Sequence, residues 1–354
     1  MKFLKRTPKL PKLNYEEEQP TTEGVPRITN ETVAAHREQV IGSARKYIYP
    51  LQHSKHRIVL ITTGIFIFSL VVFFTYCTVA LYRLQSSSTF LYRVSQVIPF
   101  PIARTGRQFI AYENYLFELR HYTHYYQNQQ ELDFDSEAGK LQLAEFKARA
   151  LDRVINDAYV KRLAEQHNVS VSGKEVDEQI EIVRNQNRLG GSDRVFEDVL
   201  KDYWGWSLND FKRSLRQQLL AQKVVAILDT DTRARAEAAL AEINGGADFA
   251  AVAKKYSEDS ATKDNGGDFG IQIDRTNREL SAYTTEALFA LQPGQVSGIV
   301  NIGYALEIIK NTENTADRAR GAHILFNYKD ISSYVNDLKD KSKTQLYIRN
   351  QRAN

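Results

Sequence analysis

The stretch GADFAAVAKKYSEDSATKDNGGDFGIQIDRTNRELSAYTTEALFALQPGQVS, residues 246–297, decides the fold of the C-terminal half of this chain. Its glycines and its proline mark turns, and apolar residues recur between them at three- and four-residue intervals. Asp248 is a typical N-cap for a helix that begins at Phe249. The stretch therefore predicts short helices that alternate with tight turns.

Short β-branched runs surround this stretch and predict the strands of the same module. We expect a first strand at Val224 to Leu228, then a helix from near Thr232, and two closing strands at Val296 to Val300 and Tyr304 to Ile309. The turn around Gly303 joins the closing strands. Residues 224–311 are thus predicted to form an α+β module with a small antiparallel sheet.

Four segments of this module, in their order and spacing, resemble the parvulin-type peptidyl-prolyl cis-trans isomerases (rotamases of the PpiC type). They are Gly246-Ala247-Asp248-Phe249 with Ala253 and Tyr256-Ser257, then Glu258-Asp259-Ser260, then Gly266-Gly267-Asp268-Phe269-Gly270, and finally ALFALQPGQVS at 287–297. The resemblance implies the fold of the FKBP-like superfamily. It also implies a site with two histidines, an Asp or Cys, and Met and Phe side chains that hold proline.

The residues at those family positions are only partly the usual ones. Asp259 matches the acidic position, whereas Ala226 and Glu307 stand where the family has its two histidines. The resemblance implies these three as the catalytic positions, and it implies substrate contacts by Phe269, Leu280, Tyr283, Thr284 and Phe289. Since both family histidines are replaced, we expect weak isomerase activity.

A further strand-like segment, Ala322-His323-Ile324-Leu325-Phe326, looks like a second parvulin first strand, and a helix from Asp330 to about Tyr347 follows it. Residues 312–354 are too few for a second complete domain. One alternative is that this strand joins the preceding sheet and brings His323 into its centre. The other, which we favour at this point, is a degenerate remnant with an ordinary exposed or packed His323.

Residues 95–223 predict several amphipathic helices that begin at capping residues. Ser136, Ser172 and Ser207 are expected N-caps, and the last two have an acidic residue three positions later. The order of elements from Ala148 to Lys223 resembles the N-terminal chaperone domain of the SurA/PrsA group, which implies a cradle for unfolded polypeptide. The aromatic residues between Tyr112 and Tyr126 could contact clients, although we favour core packing for most of them.

Residues 58–82 contain no charged side chain and predict a transmembrane helix, because about 20 apolar residues cross a bilayer. Basic residues are more numerous before this span than after it, which predicts a cytoplasmic N-terminus and extracytoplasmic domains. The preceding residues, 1–57, lack apolar periodicity and are predicted to be a flexible tail.

Composition excludes several other classes of function. The net charge is +4 with interleaved signs, so we expect no nucleic-acid partner, and the single cysteine, Cys77, excludes a disulfide framework. No cofactor or metal motif occurs in the sequence. The leading interpretation is a membrane-anchored, extracytoplasmic folding factor that acts on exported, unfolded or proline-containing polypeptides. The alternatives are a catalytically degenerate holdase or peptide-binding scaffold and, third, an anchored signalling protein.

Overall fold

The computed structural model describes residues 29–48, 51–187 and 192–348, and it divides into two compact units, 1–75 and 76–354. The first unit contains helix α1 (Asn30–Ile48) and most of helix α2 (Leu51–Thr78). Helix α1 corrects the prediction of a flexible tail for that stretch; residues 1–28 of the predicted tail lie outside the described residues. Between Arg57 and Arg83 runs a helix long and apolar enough to cross a membrane, with a mean hydropathy of 2.6.

The second unit begins with a π-helical turn (Val79–Arg83) and a largely helical module. Its elements are α3 (Thr89–Val97), β1 (Pro101–Thr105), β2 (Gln108–Ala111), α4 (Tyr112–Gln129), α5 (Glu137–Gln166), α6 (Gly173–Gln186), α7 (Asp193–Trp204) and α8 (Leu208–Leu228). The predicted N-caps are confirmed, because the side chains of Ser136, Ser172 and Ser207 each accept a backbone N–H of the first turn. Residues 188–191, between α6 and α7, lie outside the described residues.

Aromatic rings form much of the core of this module. Tyr112, Tyr115 and Phe117 are buried, so for these three the favoured prediction of core packing is confirmed. Tyr122, Tyr125 and Tyr126 are half-buried. A three-stranded sheet, with β1 between β2 and a C-terminal strand, adds to the helices. The sequence had indicated helices alone, because short strands in a hairpin carry little periodicity.

The isomerase-like module follows directly. Its elements are α9 (Thr230–Asn244), α10 (Phe249–Tyr256), a 3₁₀ turn (Lys263–Asn265), β3 (Ile273–Asp274), α11 (Ala282–Ala290), β4 (Val300–Asn301), β5 (Ala305–Asn314) and β6 (Arg318–Asn327). The strands form an antiparallel sheet in the order β3-β6-β5-β4. Residues of β5 and β6 alternate between the two faces of this sheet. Ile308, Ile324 and Phe326 pack against α9 and α10, and Ile309 packs with α11 on the other face.

The predicted first strand, Val224 to Leu228, is wrong: these residues form the last turn and a half of α8. Val224 and Val225 are buried there, and this packing outweighs the small helix penalty of β-branched residues. Of the closing strand predicted at Val296 to Val300, only Val300 lies in a regular strand, β4. Val296 makes only an isolated bridge to Lys310.

The C-terminal segment contributes to both modules. Strand β6 pairs with β5 along its length and with β3, so the hypothesis that it joins the sheet is confirmed and the remnant alternative is wrong. Helix α12 (Ile331–Lys341) ends earlier than predicted, and β7 (Thr344–Leu346) then pairs with β1. The hydroxyl of Tyr159 donates to the backbone carbonyl of Ser342, which fixes this return to the helical module.

Candidate active site

Strand β6 occupies the place that the family resemblance assigns to the first strand of the module. Its end meets the start of α9: the backbone N–H of Lys329 donates to the Asp229 carboxylate at 2.8 Å, and the Thr232 hydroxyl donates to the carbonyl of Asn327 at 3.3 Å. The side chain of Asp229 is fully buried at this junction. In space, β6 therefore precedes α9, although it follows it by about ninety residues in sequence. Strand β6 thus leads into the first helix of the module, as the predicted strand at Val224 to Leu228 would have done in sequence.

His323 lies on β6 between two carboxylates. Its Nε2 is 3.0 Å from Oδ2 of Asp259, and its Nδ1 is 3.1 Å from Oε1 of Glu307. The side chain of His323 is only 8% exposed and that of Glu307 only 4%, whereas Asp259 is 23% exposed. Asp259 is therefore the member of this trio that reaches solvent, with His323 and Glu307 behind it.

This geometry favours a charged imidazole. A neutral histidine can donate from only one nitrogen, yet here a carboxylate oxygen faces each of them. Burial by itself lowers the pKa of His323, but the hydrogen bonds and charges of Glu307 and Asp259 outweigh burial and raise it. Burial likewise works to raise the pKa of Asp259, and hydrogen bonds from Thr262, His323 and the Ala261 N–H hold it below its usual range.

Two threonines complete the polar cluster. The hydroxyl of Thr284, which is fully buried on α11, donates to Oε2 of Glu307 at 2.5 Å. The hydroxyl of Thr262 donates to Oδ2 of Asp259 at 2.5 Å and lies 3.1 Å from Nε2 of His323. Each carboxylate thus accepts a hydroxyl as well as the imidazolium, which offsets the cost of burying charge.

The Gly266-Gly267 turn holds the backbone of His323 in place. The N–H of His323 donates to the carbonyl of Gly267 at 2.9 Å. Gly267 has φ +83°, and a Cβ there would lie 2.2 Å from the carbonyl oxygen of His323. The glycine is thus needed both for its left-handed backbone and for the close approach of the turn to β6.

An apolar wall stands beside the polar cluster. The ring of Phe269 lies 4.7 Å from the His323 ring, and Phe269 packs in one cluster with Leu280 and Phe289. The guanidinium of Arg275 lies 4.3 Å above the ring of Phe289. Three of the five residues predicted to contact substrate therefore share one surface.

The remaining predicted residues lie elsewhere or have other partners. Thr284 faces Glu307, and the hydroxyl of Tyr283 donates to Oε1 of Gln179 on α6 at 2.9 Å. Ala226 is not brought to the polar cluster, because it lies on α8, where the predicted first strand is helical. Thr262 was missed by sequence reasoning. Its position three residues after Asp259 is the one local signal that could have indicated it.

Two family models match parts of this chain. Residues 223–313 match the family described as PPIC-type PPIASE domain, and residues 51–225 match the SurA-like N-terminal domain. His323 lies beyond the first match.

Curated relatives carry the corresponding names. The chain is 30% identical to the foldase protein PrsA of Caldanaerobacter subterraneus subsp. tengcongensis over 236 residues, which cover 63% of this chain and 70% of that protein. It is 26% identical to the chaperone SurA of Albidiferax ferrireducens over 231 residues, 54% of this chain and 48% of the relative. A 73-residue match with foldase protein PrsA 3 of Bacillus anthracis is 42% identical and covers 20% of this chain and 24% of that one. The chain belongs to the family of parvulin-type isomerases and chaperones that includes PrsA and SurA.

Proposed function

We propose that this chain is a membrane-anchored foldase that catalyses rotation about X-Pro bonds in unfolded, exported polypeptides. The observation that carries the proposal is the buried Asp259-His323-Glu307 cluster beside the apolar wall of Phe269, Leu280 and Phe289. Such a combination suits a substrate with an apolar ring next to a polar amide. The helical module would hold the rest of the unfolded client.

Rotation of an X-Pro bond breaks no covalent bond but crosses a barrier of about 20 kcal/mol, because the planar amide loses resonance as it twists. The planar form carries partial negative charge on its carbonyl oxygen, and the twisted form carries less. A fixed carboxylate beside that oxygen therefore raises the energy of the planar form more than that of the twisted form. We assign this role to Asp259, the exposed member of the cluster.

His323 and Glu307 act as positioning residues in this mechanism. The imidazolium keeps Asp259 ionised and fixes its orientation, and Glu307 keeps the imidazole protonated. Phe269, Leu280 and Phe289 offer the proline ring an apolar surface. No nucleophile is needed, so the replacement of a family histidine by Glu307 is compatible with turnover.

A proline-tetrapeptide isomerisation assay on the full chain in detergent tests the proposal. We expect catalysis by the wild type, and a kcat at least roughly tenfold lower for Asp259→Asn, equal to a barrier from the bound substrate that is about 1.4 kcal/mol higher. The control is Asp264→Asn, an exposed acidic residue of the adjacent 3₁₀ turn, which should keep full activity. Equal rates for Asp259→Asn and the wild type would contradict the assignment.

A second candidate function is a holdase that binds peptide without catalysis. The pair of Thr284 and Glu307 favours it, because these polar side chains are buried and Glu307 stands at a position where the family has a histidine. Suppression of client aggregation by a wild-type chain that shows no isomerase activity would support this alternative.

The proposed anchor is the apolar span 58–82, with the N-terminus in the cytoplasm. The apolar helix between Arg57 and Arg83 and the excess of basic residues before it support this topology. Protease added outside intact cells should digest the part of the chain after Arg83 and leave an N-terminal epitope tag protected. Protection of both parts would contradict the topology.

A further inference from the structure

The end of the apolar span is packed into the helical module. Cys77 and Leu81, which lie near this end, are fully buried. The hydroxyl of Tyr112 on α4 donates to the carbonyl of Leu81 at 2.7 Å. The hydroxyl of Tyr82 donates to the carbonyl of Pro101, at the start of β1, at 2.6 Å. The last residues of the span are therefore part of the folded module rather than a linker to it.

Helix α3 follows the span closely and has two different faces. Leu91 and Ser95 are buried against the module, whereas Phe90 is 52% exposed and Val97 is 82% exposed. Seven residues make about two turns of a helix, so Phe90 and Val97 lie on the same face. We call this the outer face of α3. A helix that buries one face in its protein and exposes large apolar side chains on the other needs a further apolar partner.

The outer face of α3 is continuous with the exposed surface of the span. The ring of Phe90 lies 6.3 Å from the ring of Tyr76, which belongs to the last turn of α2 and is itself exposed. Tyrosine is enriched where a transmembrane helix leaves the hydrocarbon layer. The apolar partner that surrounds the span at Tyr76 therefore also reaches Phe90.

Two cations without carboxylate partners border the same surface. Arg83 follows directly after the apolar span, and Arg93 lies on α3 between Phe90 and Val97; both are exposed. Among the residues that the structure describes, neither guanidinium forms a salt bridge. Arginine side chains on an apolar surface extend towards water and pair with anionic phosphates. Apolar side chains next to unpaired cations match a phospholipid surface, where acyl chains lie beneath phosphates.

We propose that the outer face of α3 lies in the interface of the bilayer that the span crosses. Phe90 and Val97 contact the upper part of the acyl chains, and Arg83 and Arg93 contact the phosphates. This inference rests on the proposed membrane anchor and goes beyond it. The helical module is attached to the membrane at two places, the span and α3, and this double attachment fixes the orientation of the module relative to the membrane surface.

Electron paramagnetic resonance on the full chain in phospholipid vesicles tests the inference. A nitroxide on Val97→Cys, in a Cys77→Ala background, reports collisions with oxygen, which concentrates among acyl chains, and with a water-soluble nickel chelate. The matched control is Val195→Cys on α7, because Val195 is also an exposed aliphatic residue on a helix of the same module. We expect an oxygen-to-nickel ratio at least roughly fivefold higher at position 97 than at 195, since polar solutes are excluded from an apolar medium.

A third label, at Phe66→Cys inside the span, separates this inference from the anchor itself. A high oxygen-to-nickel ratio at position 66 with equal, low ratios at 97 and 195 would overturn the inference and leave the anchor standing. A low ratio at position 66 would contradict the anchor, and the inference would fail with it. Spin–spin broadening at position 97 that disappears on dilution with unlabelled protein would show that a second copy of the chain covers this face, which would also overturn the inference.

Discussion

Two regions of this chain each enclose a histidine, and they set its charge in opposite directions. His121, on α4, stacks against Trp206 at 4.4 Å and Trp204 at 4.9 Å between ring centroids. Burial there lowers its pKa to about 4, although a backbone hydrogen bond to Trp204 works against this. His323 is at least as buried, and yet its pKa is raised, because Glu307 and Asp259 face its two nitrogens. Burial favours the neutral form of both histidines, and the two carboxylates reverse this preference for His323.

The difference has a functional meaning. In the aromatic region, His121 is a neutral ring that contributes packing alone. In the sheet, His323 is a cation that orders two carboxylates next to an apolar wall. Under the proposed function, only the second arrangement presents a fixed charge to a substrate. Chemistry at a buried histidine thus depends on its partners more than on its burial.

The largest expected effect is a contrast between His323→Phe and His121→Phe. His323→Phe leaves Glu307 and Asp259 without their cation and should lower the free energy of unfolding by about 3–5 kcal/mol. His121→Phe keeps an aromatic ring against the two tryptophans and removes a buried Nδ1 that has no hydrogen-bond partner among the described residues, so a cost of at most about 1 kcal/mol is expected. Denaturant unfolding followed by circular dichroism measures both. Equal costs would show that the two sites do not differ as described.

A second contrast concerns the turn that holds His323. Gly267→Ala should destabilise the protein clearly more than Gly270→Ala. Both glycines have positive φ, and that backbone alone costs about 1–2 kcal/mol for alanine. Only at Gly267 would the new Cβ also meet the carbonyl of His323, since a Cβ at Gly270 has no heavy atom within 4 Å. The midpoint of urea unfolding separates the two variants; similar midpoints would mean that the turn does not position β6.

The neighbouring threonines of α11 give a smaller contrast. Thr284→Val removes the hydroxyl that donates to Glu307 and should cost about 1.5–3 kcal/mol, the usual range for a hydrogen bond to a charged group. Thr285→Val removes a buried hydroxyl that has no hydrogen-bond partner among the described residues, so stability should be unchanged or should rise. A loss at position 285 as large as that at 284 would contradict the role of the Thr284-Glu307 bond.

The smallest expected effects are opposite pH dependences. The pKa of His323 is raised above its ordinary 6.5, so the stability it contributes is full below pH 6.5 and is lost as the pH rises through the folded value. The pKa of His121 is lowered to about 4, so the unfolded chain binds a proton first, and stability falls as the pH drops from 6.5 to 4. Relative to the wild type, His121→Phe should therefore gain stability on acidification. In the His323→Phe variant, the decline in stability that the wild type shows above pH 6.5 should be absent. Parallel unfolding curves for all three proteins from pH 4 to pH 8 would refute this comparison.

Local patterns carried much of the fold prediction. The caps at Ser136, Ser172 and Ser207 and the glycine turns of the isomerase-like module depend on residues within four positions of one another, so the sequence displays them directly. The order of these motifs was enough to identify the family. Phe269, Leu280 and Phe289, which the family resemblance named together, pack in one cluster, and Phe269 contacts His323.

Tertiary packing decided what local patterns could not. The run from Val224 to Leu228 favours a strand by composition, but its burial against the helical module makes it helix. His323 meets Asp259 across 64 residues of sequence, and the segment carrying it looked like a remnant because its partners are distant. Strand pairing is a non-local interaction, and its energy depends on which edge of the sheet is open. Because residues 224–228 are helical, they do not pair with β5, and β6 pairs with both β3 and β5 instead. The sequence by itself therefore determined the family and suggested Asp259 and Glu307 for the candidate site, and the folded chain alone determined which histidine lies between them.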